Sequence, residues 1–177
     1  MNQQYKGRLE WQKRYAEAHF KWSCEKHPNV VKDEFYTLPK FPDVKTANGL
    51  TQFVVNFLDW SGCYGNRINT VGRVIKQGRD IHTAGGGIIK AKQIMIKSST
   101  KKGTADINGI IGGSDTTIGI PCHIEIKVGR DTQKEDQKKQ EKQVNSAGGL
   151  YTIVRTVDEF LYFYDKVMAM PKISKMF

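Results

Sequence analysis

The carboxylate Asp106 stands in Gly103-Thr104-Ala105-Asp106, and a second, Glu125, stands two places before Lys127 in His123-Ile124-Glu125-Ile126-Lys127. Alternate side chains of a strand share a face, so His123, Glu125 and Lys127 point one way while Cys122, Ile124, Ile126 and Val128 point into a core. If Asp106 lies on the partner strand of a hairpin, it reaches the same face, and two carboxylates able to share a hard cation then stand beside an ammonium. Hydrolysis of a phosphodiester needs an activated water, charge relief on the nonbridging oxygens and stabilisation of the leaving oxygen, all of which a divalent ion held by two acids supplies. A lysine alongside orients the water and offsets phosphate charge. The same residues serve equally as a cross-face salt bridge on a solvated strand, with Asp106 opening a turn.

The surrounding pattern supplies such a hairpin. Residues 104–111 and 118–128 read as two strands joined by Gly112-Gly113-Ser114-Asp115, rich in turn formers. Upstream, Leu50, Phe53, Val54, Phe57 and Leu58 recur at three and four, which predicts a core helix over 50–60. Residues 67–74 and 88–96 read as strands separated by the hinge Ala84-Gly85-Gly86-Gly87; no Gly-Lys-Ser/Thr follows, so a Walker-type loop is not indicated. Downstream, Thr132 three before Glu135 reads as a capping box for a polar helix over 132–145, whose Gln133, Gln137 and Gln140 form a stripe toward the site. A strand over 150–155 and a helix over 157–168, with Phe160, Leu161 and Tyr164 on one side, close the chain. Residues 1–45 read as an attached arm: a helix over 8–26, then extended pieces broken by Pro28, Pro39 and Pro42. Its Cys24 and His27 lack the second pair that a zinc site requires. The expected fold is α/β, a mixed central sheet flanked by helices over 46–177.

Charge points to the partner. Lys and Arg number 28 against 18 Asp and Glu, a net +10, which favours a polyanion. Between 66 and 103 nine cations, among them Arg67, Arg73, Lys76, Lys97, Lys101 and Lys102, face the single acid Asp80. Those six are the expected phosphate contacts, which position nucleic acid without reading its sequence. No zinc-finger, zipper or helix-turn-helix pattern offers base readout. No apolar run approaches the roughly 18 residues of a membrane span, and the first residues show no signal-like apolar stretch. Three widely spaced cysteines do not describe a disulfide framework. A cytoplasmic protein is expected.

Asp106 followed by Glu125-Ile126-Lys127 resembles the PD-(D/E)XK nuclease signature, and the wider series resembles its VRR-NUC branch. The matching residues are Arg67 and Asn69, Gly103 and Asp106, Glu125 and Lys127, Gln137, Gly148 or Gly149, and Tyr151-Thr152-Ile153-Val154-Arg155-Thr156, covering roughly 50–163. The resemblance implies a restriction-endonuclease-like αβββαβ core and an Mg²⁺-dependent DNA endonuclease, with Mn²⁺ as a substitute and no organic cofactor. In it Asp106 and Glu125 bind the metal, Lys127 assists the water and Gln137 supports it, with His123 a secondary candidate. A branched, junction or flap substrate and a homodimer are implied too. Alternatives are an inactive nucleic-acid-binding module of the same fold and a nuclease acting on RNA. Two positions depart from the family: Ala105 replaces the proline before the aspartate, and neither Ala47 nor Asn48 is the acid of its first helix. Asp43, the Asn48 amide oxygen or a single-metal site would answer the second departure.

Overall fold

The structure, a computed structural model, describes residues 9–29, 36–68, 73–96, 101–113 and 117–174. It is mixed α/β. Helices α1 (Glu10–Lys26) and α2 (Ala47–Trp60) precede β1 (Tyr64–Arg67). An inserted ribbon of β2 (Arg73–Gln77), β3 (Ile81–His82), β4 (Ile88–Ile89) and β5 (Lys92–Ile96) follows. Then come β6 (Ile107–Ile111), β7 (Ile120–Ile126), α3 (Glu135–Ser146), β8 (Leu150–Val154) and α4 (Val157–Ala169). The main sheet runs β1-β6-β7-β8, antiparallel except for the parallel β7/β8 pair. A parallel pair needs a crossover, and α3 provides it.

One face of this sheet is thickly covered. α2 starts at Thr46, whose hydroxyl accepts from the Gly49 N–H at 3.1 Å, and buries the predicted stripe of Leu50, Phe53, Val54, Phe57 and Leu58. α4, capped by Thr156, adds Phe160, Leu161, Tyr164 and Val167. These meet Ile107 and Ile111 of β6 and Cys122, Ile124 and Ile126 of β7 in the main hydrophobic cluster. α1 joins the same cluster: Tyr15 is wholly buried, stacks on Phe53 at 4.9 Å between ring centres, and accepts from Asn56 at 2.9 Å. The opposite face carries a smaller cluster, Ala105, Val144 and Tyr151, where α3 lies along β8.

Several predicted boundaries shift. Of the segment 67–74, Arg67 ends β1 in the main sheet and Arg73 and Val74 open β2 in the ribbon, while residues 69–72 lie outside the described residues. The segment 88–96 breaks at Lys90 and Ala91, because the Ala91 N–H donates to Asp80 Oδ1 at 2.8 Å instead of to the opposing strand. The helix predicted from Thr132 begins at Glu135. Its cap is Lys134, whose N–H donates to Gln137 Oε1 at 2.8 Å. Asp131 is tied to Lys127 and Arg155, which keeps the chain out of the helix through Gln133. Of the predicted turn after β6, Ser114 and Asp115 lie outside the described residues.

Candidate active site

Strand alternation delivers the site. Because Cys122, Ile124 and Ile126 fill the main core, Glu125 and, just past the end of β7, Lys127 face α3. Both are almost fully enclosed, 2% and 3% exposed. Burying two charges costs several kcal/mol per ion unless they are paired, and here they are. Lys127 Nζ lies 3.0 Å from Glu125 Oε1 and 3.1 Å from Asp131 Oδ2. Gln137 Nε2 donates to the same Glu125 oxygen. The Tyr151 hydroxyl, at 3.5 Å from Glu125 Oε2, closes the pocket more loosely.

Asp106 reaches this group through the register. Ile107 pairs with Ile124, so position 106 stands opposite 125 on the same side of the sheet. Its Oδ2 accepts from the Ile126 N–H at 2.9 Å, while its own carbonyl accepts from the Ile68 N–H at 2.7 Å. Gly103 sets the approach. At φ +83° it occupies the left-handed region, and a Cβ there would run into the Asp136 carbonyl of α3. The glycine thus lets the loop before Asp106 lie directly on the first turn of α3, which carries Gln137.

The electrostatics follow from this crowding. Burial pushes the Glu125 carboxyl above its usual range; the Lys127 hydrogen bond pulls it back, and the nearby charge of Asp106 pushes it up again. For Lys127, burial opposes the charged form, yet the bonds to Glu125 and Asp131 outweigh it and hold the ammonium above its ordinary pKa. Asp131 is held low by that same lysine. Burial lowers His123, favouring its neutral imidazole, and raises the Tyr151 phenol. The pocket therefore offers two acidic side chains on one side, a charged amine beside them and neutral hydrogen-bonding groups around the edge.

The other predicted residues fall in three places. Of the glutamine stripe, Gln137 bonds Glu125, Gln133 donates to Glu141 at 2.7 Å, and Gln140 lies with His123 in a depression beside the pocket. Arg67 reaches across to α2, donating to Asn48 Oδ1 at 2.7 Å, so that amide oxygen is already engaged. Asp43 accepts from the Lys45 N–H at 3.2 Å, in the turn before α2. Lys101 donates to Gln143 Oε1 of α3 at 3.0 Å, and Lys102 is exposed. Arg73 and Lys76 belong to the ribbon, away from this pocket in the chain; Lys97 lies outside the described residues, as does Asn69.

Three contributors were missed by the sequence reading. Asp131, from the loop after β7, holds Lys127; Tyr151 enters through the parallel pairing of β8 with β7, directly beside His123; Asn108 faces His123 across the hairpin. The alternation that selects His123 and Glu125 selects Asn108 as well, two places after Asp106. Among the described residues, Asn108 Oδ1, His123 Nδ1 and Gln140 Oε1 are buried without a hydrogen-bond partner. Buried polar atoms are normally satisfied, so this end of the pocket is where a polar ligand would find bonding groups. Comparison with protein-family models, with curated proteins and with solved structures found no match to this chain.

Proposed function

We propose that the chain is a divalent-metal-dependent DNA endonuclease of the VRR-NUC branch of the PD-(D/E)XK nucleases, with a restriction-endonuclease-like core. The observation that carries this reading is the convergence of Asp106, Glu125 and Lys127 on the sheet face beneath α3, with the amine bonded to the second carboxylate. Set apart from α1, α4 and the inserted strands β2 to β5, the order α2-β1-β6-β7-α3-β8 supports the αβββαβ reading.

The donor set suits magnesium. Among the described residues no three His, Cys, Asp or Glu side chains gather as a metal cluster, but Mg²⁺ is commonly held by one or two carboxylates, with waters and substrate phosphate completing its shell. Asp106 and Glu125 would hold it, and a cation there would offset the burial and, secondarily, the Asp106 charge that raise Glu125. When bound, it supplies charge neutralisation and a more acidic water. The chain's own groups do the positioning. Lys127, fixed between Glu125 and Asp131, presents its ammonium to a phosphate or to the attacking water. Gln137 fixes the Glu125 carboxylate, and Arg67, Lys101 and Lys102 draw in the phosphate backbone. Mn²⁺ would substitute. Branched substrates, a homodimer and a cytoplasmic location belong to the same reading; no described helix is long and apolar enough to cross a membrane.

One observation favours a second reading, a binding module without catalysis: the Asn48 oxygen, at the position nearest the family's additional acid, is taken by Arg67. A single panel separates the two. Linear, single-stranded, flap and four-way DNA, with RNA alongside, are incubated with Mg²⁺, Mn²⁺ or EDTA. Cutting that needs the metal and disappears in Lys127→Ala supports the enzyme; retention on gels with no cutting supports the module. Cutting of RNA alone would move the substrate assignment.

A further inference from the structure

The ribbon inserted between β1 and β6 takes no part in the pocket, yet its surface is unusual. β2 pairs with β5 from Arg73↔Ile96 to Gln77↔Lys92, and β3 with β4 through Ile81↔Ile89 and His82↔Ile88. The two ladders follow one another as a single long hairpin, with one extra residue on its first strand. At about 3.3 Å per residue the arm extends roughly 30 Å. Its tip is fastened by Thr83, whose N–H and hydroxyl both donate to the Gly87 carbonyl at 2.8 and 3.1 Å. No extensive packing joins the ribbon to the helices or the main sheet among the described residues.

Two features coincide on it. Large apolar side chains stand in solvent: Ile81, Ile88 and Ile89 at the tip and Val74 and Met95 on the stem are each more than half exposed. Interleaved with them are the exposed cations Lys76, Arg79, Lys90 and Lys92, against Asp80 alone, and Asp80 is already bonded to Lys76 and to the Ala91 N–H. An apolar patch by itself names no partner. A basic one of this shape does: a two-stranded ribbon fits a duplex groove, whose walls are phosphates, and groove-binding proteins press apolar side chains against base steps to unstack them.

We propose that this ribbon is an arm that enters a groove of double-stranded nucleic acid, its cations on the flanking phosphates and its isoleucine tip, Ile81, Ile88 and Ile89, wedged against a base step. The proposal rests on the nucleic-acid reading above but not on catalysis, so it is tested without metal. Binding in EDTA is measured to a duplex carrying 2-aminopurine, whose fluorescence rises when it unstacks. Three proteins are compared: the wild type, Ile81→Ser/Ile88→Ser/Ile89→Ser, and a chain with residues 78–91 replaced by Asn-Gly, a two-residue hairpin turn. Circular dichroism and sedimentation velocity accompany each.

The wild type is expected to bind and to raise the fluorescence. The serine variant alters only exposed side chains and should fold normally, bind severalfold more weakly and give no fluorescence rise. The shortened chain, which loses Arg79 and Lys90 as well, should keep its thermal transition and lose about tenfold or more in affinity. Equal duplex affinity for all three proteins would overturn the proposal, as would a wild type that binds with no fluorescence rise. A change from dimer to monomer in the shortened chain at unchanged duplex affinity would identify the ribbon as a protein interface instead, and would also overturn it. A wild type that binds and unstacks duplex in EDTA yet cuts nothing with Mg²⁺ leaves the arm standing and removes the nuclease; no binding to any nucleic acid removes both.

Discussion

Glu125 is a carboxylate that water hardly touches, kept in place by an amine and an amide that each bond the same oxygen. Such a group is sensitive to its supports. Gln137→Ala removes the donor to Glu125 together with the acceptor that caps α3, and is expected to lower cleavage about 10- to 100-fold, the usual cost of losing an outer-shell partner. Stability should drop by only about 1 kcal/mol for the lost cap. Steady-state cleavage and urea melts on the same preparation check the two parts. A second residue-scale expectation concerns Cys122, whose thiol burial pushes up to about 12. In the native protein at pH 8 iodoacetamide should leave it unmodified, and in urea it should react; mass spectrometry of the peptides reads both, and native labelling would contradict the packing of β7. At this scale the triad was legible because strand alternation is a strict period of two, and Asp106, Glu125 and Lys127 follow from it once the hairpin is granted. Asp131 was not, since it contacts Lys127 from an irregular loop that obeys no period. Tyr151 depends on which strand lies beside β7, a fact of topology that local sequence does not carry.

Elements come next, because Gln137 and Asp106 meet only if α3 sits close to the loop before β6. Gly103 governs that distance. Gly103→Ala forces a Cβ into the Asp136 carbonyl and into an unfavourable φ of +83°. About 2 kcal/mol of destabilisation is expected, combining left-handed strain with overpacking, and cleavage should suffer beyond what the lost stability explains, because the first turn of α3 moves. Retained activity with normal stability would show that α3 need not lie so near. On the other face, Phe53→Ala empties the centre of the aromatic group formed by Tyr15, Phe57 and Phe160. It should cost about 3–5 kcal/mol in denaturation experiments. The helices α2 and α4 were readable from their apolar stripes, and the β6–β7 hairpin from its glycine-rich turn. Boundaries were less so. The start of α3 is decided by Gln137 and by the tethers on Asp131, and the break between β4 and β5 by one Asp80 hydrogen bond, both of which are contacts and not patterns. The helix over 8–26 carries a weakly organised apolar face in sequence; only packing shows Tyr15 sealed against Phe53.

For the molecule as a whole, the surplus of +10 has a direct consequence. Nucleic-acid affinity should fall steeply with salt, log K against log salt being linear with a slope of about −0.9 per phosphate neutralised. Replacing residues 78–91 removes Arg79 and Lys90, so the slope should become shallower by about 1–2 in the same series. A slope near zero would deny that phosphates are the partner. The asymmetric sheet fits this charge: α1, α2 and α4 serve its core side, and α3 lies on the side with Asp106, Glu125 and Lys127. The central claim, that those three side chains hydrolyse phosphodiesters, meets its most direct test in one comparison. Labelled branched and linear DNA is incubated with wild type and with Lys127→Ala, each with Mg²⁺ and with EDTA, after circular dichroism has matched their folds. Wild type should cut with Mg²⁺ and not with EDTA, and the variant should be slower by about 100-fold or more; equal cutting by the two proteins, or cutting that survives EDTA, would contradict the account.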